Sequence, residues 1–162
     1  MSKQIPLTQG KFAVVDDEDY DWLMKYKWCA RKRVDGITWY ACRKIYVDGR
    51  WYQQQMHRLI LNPPEYLVCD HINGDGLDNR RTNLRLATTK QNVRNRRLSS
   101  NNTTGFKGVS VPTSGNKYQA QIRVDGRLIF LGLFSNKIDA ALASNEAALK
   151  YHGKFASLNV IP

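Results

Sequence analysis

The 162-residue chain is long enough for one ordinary domain or two small ones, and its 42% hydrophobic content is that of a folded protein, which excludes wholesale disorder. A formal net charge of +11 directs it toward a polyanion, nucleic acid or an anionic membrane. No apolar run approaches the roughly twenty residues of a spanning helix and no N-terminal segment has a signal peptide's layout, so a cytoplasmic protein without membrane attachment is expected.

In chain order, strand pieces are predicted around Ile5–Leu7 and Lys11–Val15, followed by a short helix with Asp16 or Asp17 as N-cap and acidic residues in its first turn. Val34-Asp35-Gly36 and Val47-Asp48-Gly49 are hairpin signals, because a two-residue turn needs positive φ. Strands are therefore expected over Trp28–Val34, Ile37–Ile45 and Trp51–Gln55, with Trp22, Tyr26, Trp28, Trp39 and Tyr40 in the core. Met56–Leu61 reads as a helical turn or more, closed by Asn62-Pro63-Pro64. Cys29, Cys42 and Cys69 are odd in number and form no CxxC pair, so three free thiols in a reducing compartment are expected.

The β-prone run Tyr66–Cys69 delivers Asp70 and His71 into a loop rich in Gly, Asn and Asp. Asn83 follows His71, and Asn92 lies inside a helix predicted over Thr89–Arg97. Adjacent Asp and His suit phosphodiester hydrolysis: a carboxylate is a hard ligand for Mg²⁺, and a neutral imidazole can take a proton from water. An ordinary hydrogen-bonded Asp–His loop pair is the plainer reading. Asn95 is a rival to Asn92, one turn away on nearly the same face. A calcium loop is rejected, since His71 and Thr82 stand where its first and last carboxylates belong. His57 and His152 read as structural. From Asn79 to Arg97 there are seven basic residues and no acidic one. Arg80, Arg81, Arg85, Lys90, Arg94, Arg96 and Arg97 are thus DNA-binding candidates beside the site, or else a solvated face.

Leu98–Thr104 has linker chemistry. Beyond it, strands are predicted over Phe106–Val111, Lys117–Val124 and Arg127–Phe134, the last two joined by Asp125-Gly126. A helix follows from Lys137 to about His152, capped by Asn136 and stopped by Gly153, with Ile138, Ala141, Leu142, Ala148 and Leu149 placed against the sheet. Alternation turns Gln119, Gln121 and Arg123 away from the helix and Ala120 and Ile122 toward it. Gln and Arg are competent base readers, while Lys107, Lys117 and Arg127 suit phosphate.

The segment around Asp70, His71, Asn83 and Asn92, with Met56-His57-Arg58-Leu59-Ile60 and Pro63-Pro64 before it, resembles the HNH endonucleases of phages and mobile introns whose third motif residue is Asn. The resemblance covers roughly the first hundred residues. It implies a ββα-metal nuclease with one divalent cation, Mg²⁺ with Mn²⁺ as substitute, held by Asp70 and Asn92. His71 would activate water and Asn83 would brace the loop. The C-terminal part resembles the APETALA2-type DNA-binding domain through Gly105-Phe106-Lys107-Gly108-Val109, Tyr118 to Arg123, Phe130 to Phe134 and Ser157-Leu158-Asn159. Ser110, Tyr118 and Phe130 depart from its usual residues.

The expected protein is α+β: a small N-terminal β-sheet leading into a ββα-metal core (1–97, motif about 66–97), a linker (98–104), then a three-stranded antiparallel sheet on one helix (105–162). Double-stranded DNA is the expected partner, with the chain a monomer or weak dimer nicking one strand per site. A phage- or mobile-element-encoded protein of the bacterial cytoplasm fits the resemblance. The alternative is a non-catalytic DNA-binding regulator that retains the fold.

Overall fold

The computed structural model describes residues 1–33, 37–95, 98, 101–113 and 115–162. The Val34-Asp35-Gly36 turn, Arg96 and Arg97 lie outside the described residues. The chain divides into two compact units, Met1–Asn92 and Val93–Pro162. No described helix is long and apolar enough to cross a membrane.

The first unit is mixed α and β. Strands β1 (Ser2–Pro6) and β2 (Phe12–Asp16) form an antiparallel hairpin that buries Ile5, Ala13 and Val15 on one face. Helix α1 (Asp17–Leu23) opens with Asp17, Glu18 and Asp19 in its first turn, where the helix dipole favours acids. Asp16 sits at its N-cap without capping it; its carboxylate instead accepts the Arg81 N–H at 2.7 Å. The three-stranded sheet has order β3-β4-β5: β3 (Cys29–Lys32), β4 (Trp39–Val47) and β5 (Arg50–Gln55). Asp48 and Gly49 both take positive φ, the hairpin turn their residue types predict. Helix α2 (Met56–Leu61) ends at left-handed Asn62 before the prolines.

The core of this unit gathers Ile5, Val15, Leu23, Trp28, Met56 and Leu84. Of the aromatics expected inside, Trp28 is buried and donates to the Leu23 carbonyl at 2.9 Å. Tyr26 is exposed, correcting the sequence reading, and is roofed by the Arg43 guanidinium 3.5 Å from its ring centroid. All three cysteines are free, with Cys29 and Cys42 directly opposite across β3–β4.

In the second unit, β8 (Val109–Ser110), β9 (Tyr118–Val124) and β10 (Arg127–Phe134) form an antiparallel sheet of order β10-β9-β8 packed on α4 (Lys137–His152). The first strand is far shorter than Phe106–Val111, because Gly105 and Gly108 take positive φ and break the extended run. Asn136 caps α4 by accepting from Ile138 N and Asp139 N. The helix packs through Ala140, Ala141, Ala147 and Ala148, whereas Ile138, Leu142 and Leu149 are exposed. Small side chains let the helix approach the sheet closely, and the larger apolar residues expected there face outward.

Candidate active site

The site hairpin is made by β6 (Val68–His71) and β7 (Leu84–Ala87), with Asp70 opposite Arg85 and His71 opposite Leu84. Asp70 and His71 therefore belong to the strand itself rather than to the loop after it. Because side chains alternate along a strand, these neighbours leave opposite faces of the hairpin.

His71 is 6% exposed. Its Nε2 lies 3.2 Å from Asn79 Oδ1, and Asn79 Nδ2 donates to the Leu77 carbonyl at 3.2 Å, which orients the amide so that Oδ1 accepts. Nε2 of His71 is thus the N–H, and the neutral ring keeps its lone pair on Nδ1. Burial pushes the imidazole pKa down, opposed by the Asn79 hydrogen bond and the Asp70, Asp75 and Asp78 charges. The lowered pKa favours the neutral ring, the form that can accept a proton.

Two rings fix its plane. Tyr40 stands 5.8 Å from it, and His57 meets it edge-on at 4.8 Å between centroids. His57 is buried and its pKa is pushed down to about 3 by desolvation, with His71 and Arg58 adding to the shift. Its Nδ1 is buried with no hydrogen-bond partner among the described residues. Nothing in the sequence marked His57 as a neighbour of His71, since the contact depends on how α2 lies across β6.

The loop from residue 72 to 82 is held by its own amides. Asn83 Oδ1 accepts the Asn73 N–H at 3.0 Å, and Asn83 Nδ2 donates to Asn73 Oδ1 at 3.0 Å and the Asp78 carbonyl at 2.7 Å. Val14 N–H donates to the Leu77 carbonyl and Asn79 N–H to the Val14 carbonyl, at 2.9 and 2.7 Å, pinning the loop to β2. A Cβ on Gly76 would stand 2.3 Å from the Trp39 carbonyl oxygen and 2.6 Å from the Tyr40 ring, so only glycine allows the loop this close to β4.

The basic run is largely committed to neighbouring acids. Arg85 Nε and Nη2 both donate to Asp70 Oδ2, at 2.8 and 2.6 Å, in a pair that is mostly buried. Arg81 grips Asp19 through two bonds of 2.8 Å, and Arg80 grips Asp78 at 2.7 and 2.6 Å. The bond from Arg80 holds the Asp78 carboxyl below its ordinary range. Lys90, on helix α3 (Thr89–Arg94), is exposed, and Arg94 contacts Asp125 at 3.4 Å. These partners are distant in sequence or hidden by loop geometry, so the run alone read as free charge.

Asn92 is half-buried and lines a cavity of about 460 Å³ with His57, Arg58, Tyr40 and Cys69. Asn95 is also half-buried, in the turn after α3. Among the described residues no three His, Cys, Asp or Glu side chains gather as a metal site. A carboxylate and an amide are nonetheless the sparse oxygen donor set that suits Mg²⁺, which keeps positions for water and phosphate.

In the second unit, Lys117, Arg123 and Arg127 are exposed, while Gln119 and Gln121 are half-buried and bonded to each other at 3.1 Å. Ala120 and Ile122 are buried beneath them. Lys107 differs from the sequence reading: its Nζ is buried without a hydrogen-bond partner among the described residues, and burial lowers its pKa.

Residues 55–94, which hold this hairpin, match the HNH endonuclease family. The chain belongs to the HNH endonuclease family. It is 31% identical over 159 residues to an uncharacterised HNH endonuclease of Acanthamoeba polyphaga mimivirus, an alignment spanning 94% of this chain and 77% of the relative. No solved structure matches the chain.

Proposed function

We propose that the protein is a divalent-metal-dependent DNA endonuclease that cuts one strand per site, with His71 as general base. The observation that carries this reading is the buried His71, whose Nε2 lies 3.2 Å from Asn79 Oδ1. Nδ1 of His71 takes a proton from water, the water oxygen bonds to phosphorus, and the P–O3′ bond breaks. The 3′ oxygen is protonated from solvent, leaving 5′-phosphate and 3′-hydroxyl ends. Asp70 and Asn92, with Asn95 as the rival helix residue, would hold Mg²⁺ or Mn²⁺, which when bound supplies positive charge to the phosphate. Asn83 braces the loop that carries Asn79.

The segment from 105 to 162 acts, in this reading, as a separate APETALA2-type DNA-binding module after a linker at 98–104. Its exposed Lys117, Arg123 and Arg127 suit phosphate and base contacts, and Gln119 and Gln121 join them by opening their mutual bond. Tethering raises the local DNA concentration at the nuclease. One base and one metal give one strand cut, so a monomer nicks. A phage or mobile-element origin and a cytoplasmic site of action belong to the same reading.

One observation favours a second reading, a DNA-binding regulator without chemistry: Arg85 occupies Asp70 Oδ2 with two hydrogen bonds. A single assay separates the two. Supercoiled plasmid is incubated with protein and Mg²⁺ or Mn²⁺, with and without chelator, beside His71→Ala. Metal-dependent conversion to open circles by the wild type alone is expected. Absence of nicking on every DNA tried would falsify the enzyme reading.

A further inference from the structure

One face of the β3-β4-β5 sheet meets the site through Tyr40, whose ring packs on His71. The register places Arg31 opposite Tyr40, Cys42 opposite Gln55, Lys44 opposite Gln53, and Tyr46 opposite Trp51, all on the same face. Arg31 and Lys44 are the basic residues of this face, Lys32, Arg43 and Arg50 lying on the opposite one, and the three strands contain no acidic residue. At one end this face walls the cavity that Asn92 and His57 also line, with Arg31, Tyr40, Gln53 and Gln55 contributed by the sheet and Arg58 by α2. His57, 5% exposed and with its Nδ1 unpartnered among the described residues, stands at that wall. Exposed Arg31 and Arg58 at this cavity supply positive charge for an anion that arrives from outside, and the unmet Nδ1 of the neutral His57, in its N–H tautomer, adds a donor.

Two residues beyond the cavity-lining Gln53, or about 7 Å along the strand, Tyr46 and Trp51 are 60% and 68% exposed with ring centroids 5.1 Å apart. A cross-strand aromatic pair stabilises a hairpin, but that function does not need both rings to face solvent. Basic and amide side chains in a track that ends on exposed flat rings suit a polynucleotide: phosphates take the charge and unpaired bases stack on the rings.

We propose that this face is a DNA tract: the cavity seats a backbone phosphate beside the cleavage point, and the Tyr46–Trp51 pair stacks bases of that strand where they are unpaired. The protein would therefore prefer DNA with a single-stranded flap or overhang next to the duplex it cuts. This rests on the endonuclease reading for the position of the cleavage point, and on charge, exposure and continuity with the cavity for the rest.

The test is binding of the full chain, with chelator present so that no cleavage occurs, to labelled duplex, to the same duplex carrying a single-stranded flap, and to the single strand. Wild type is expected to bind the flap DNA several-fold more tightly than the duplex. Trp51→Ala should weaken flap binding by about fivefold or more and leave duplex binding within about twofold. Arg31→Ala should lower the slope of log affinity against log salt by about one. A direct readout covers any loss of folding: flap DNA should quench wild-type tryptophan emission more than that of the conservative Trp51→Phe. Equal quenching in the two proteins, or flap binding unchanged in a folded Trp51→Ala, overturns the proposal. Because no step requires cleavage, a protein that fails to nick plasmid can still pass this test, and one that nicks can still fail it.

Discussion

The Nε2 of His71 lies 3.2 Å from Oδ1 of Asn79, a side chain with no solvent exposure at all. Asn79 is tied to Val14 through its backbone and to Leu77 through its amide. The imidazole is therefore oriented by the hairpin β1–β2 at one remove, and its tautomer is set by a residue outside the recognised motif.

Removing that acceptor tests the assignment of the base nitrogen. Asn79→Leu is expected to lower the nicking rate on the order of tenfold or more with little change in KM. Asn79→Asp keeps an acceptor and adds a charge, so activity should largely return. Its pH profile should move to higher pH, because the new carboxylate favours the imidazolium. Equal rates in the Leu and Asp variants would remove Asn79 from the mechanism.

His71→Ala is predicted to cost on the order of 10²- to 10⁴-fold in nicking while affinity for DNA is retained. The paired measurement is plasmid relaxation against a gel-shift titration. Loss of both together would mean that His71 matters for packing against Tyr40 and His57 rather than for chemistry.

Arg85→Leu should destabilise the first unit by about 3–5 kcal/mol, since it strands a buried Asp70 carboxylate. The double variant Asp70→Asn with Arg85→Leu should recover part of that loss. Urea unfolding of the single and double variants checks this, and additive losses would show that the pair is not coupled.

The His57 pKa near 3 makes a stability prediction with a definite sign. The unfolded histidine takes up its proton near pH 6.5 and the folded one near 3. The unfolded state binds more protons in that window. Stability is complete above about pH 6.5 and falls toward pH 3, with a slope of about 1.4 kcal/mol per pH unit from this residue. His57→Phe keeps a ring against His71 and should flatten the acid limb in urea titrations run at several pH values.

Gly76→Ala should cost about 1–3 kcal/mol or displace the loop, because the new methyl meets the Trp39 carbonyl and the Tyr40 ring. Thermal unfolding together with the nicking rate tests it. An alanine variant as stable and active as wild type would show that the loop shifts without consequence.

Much of this protein was written in local chemistry. The Asp48-Gly49 and Asp125-Gly126 turns, the Asn136 cap, the Gly153 stop and the alternation that buries Ala120 and Ile122 each need only neighbouring residues, and each is legible for that reason. The spacing of Asp70, His71, Asn83 and Asn92 is a linear pattern of the same kind, and it led to the family that residues 55–94 match. Tertiary structure decided who pairs with whom. Arg80, Arg81 and Arg85 read as free charge until Asp78, Asp19 and Asp70 met them. Asn79 carried no signal and His57 read as structural, because their contacts with His71 arise from a loop pinned to β2 and a helix packed on β6. A pattern along the chain fixes what a residue can do. The partners that decide what it does come from segments that only folding brings together.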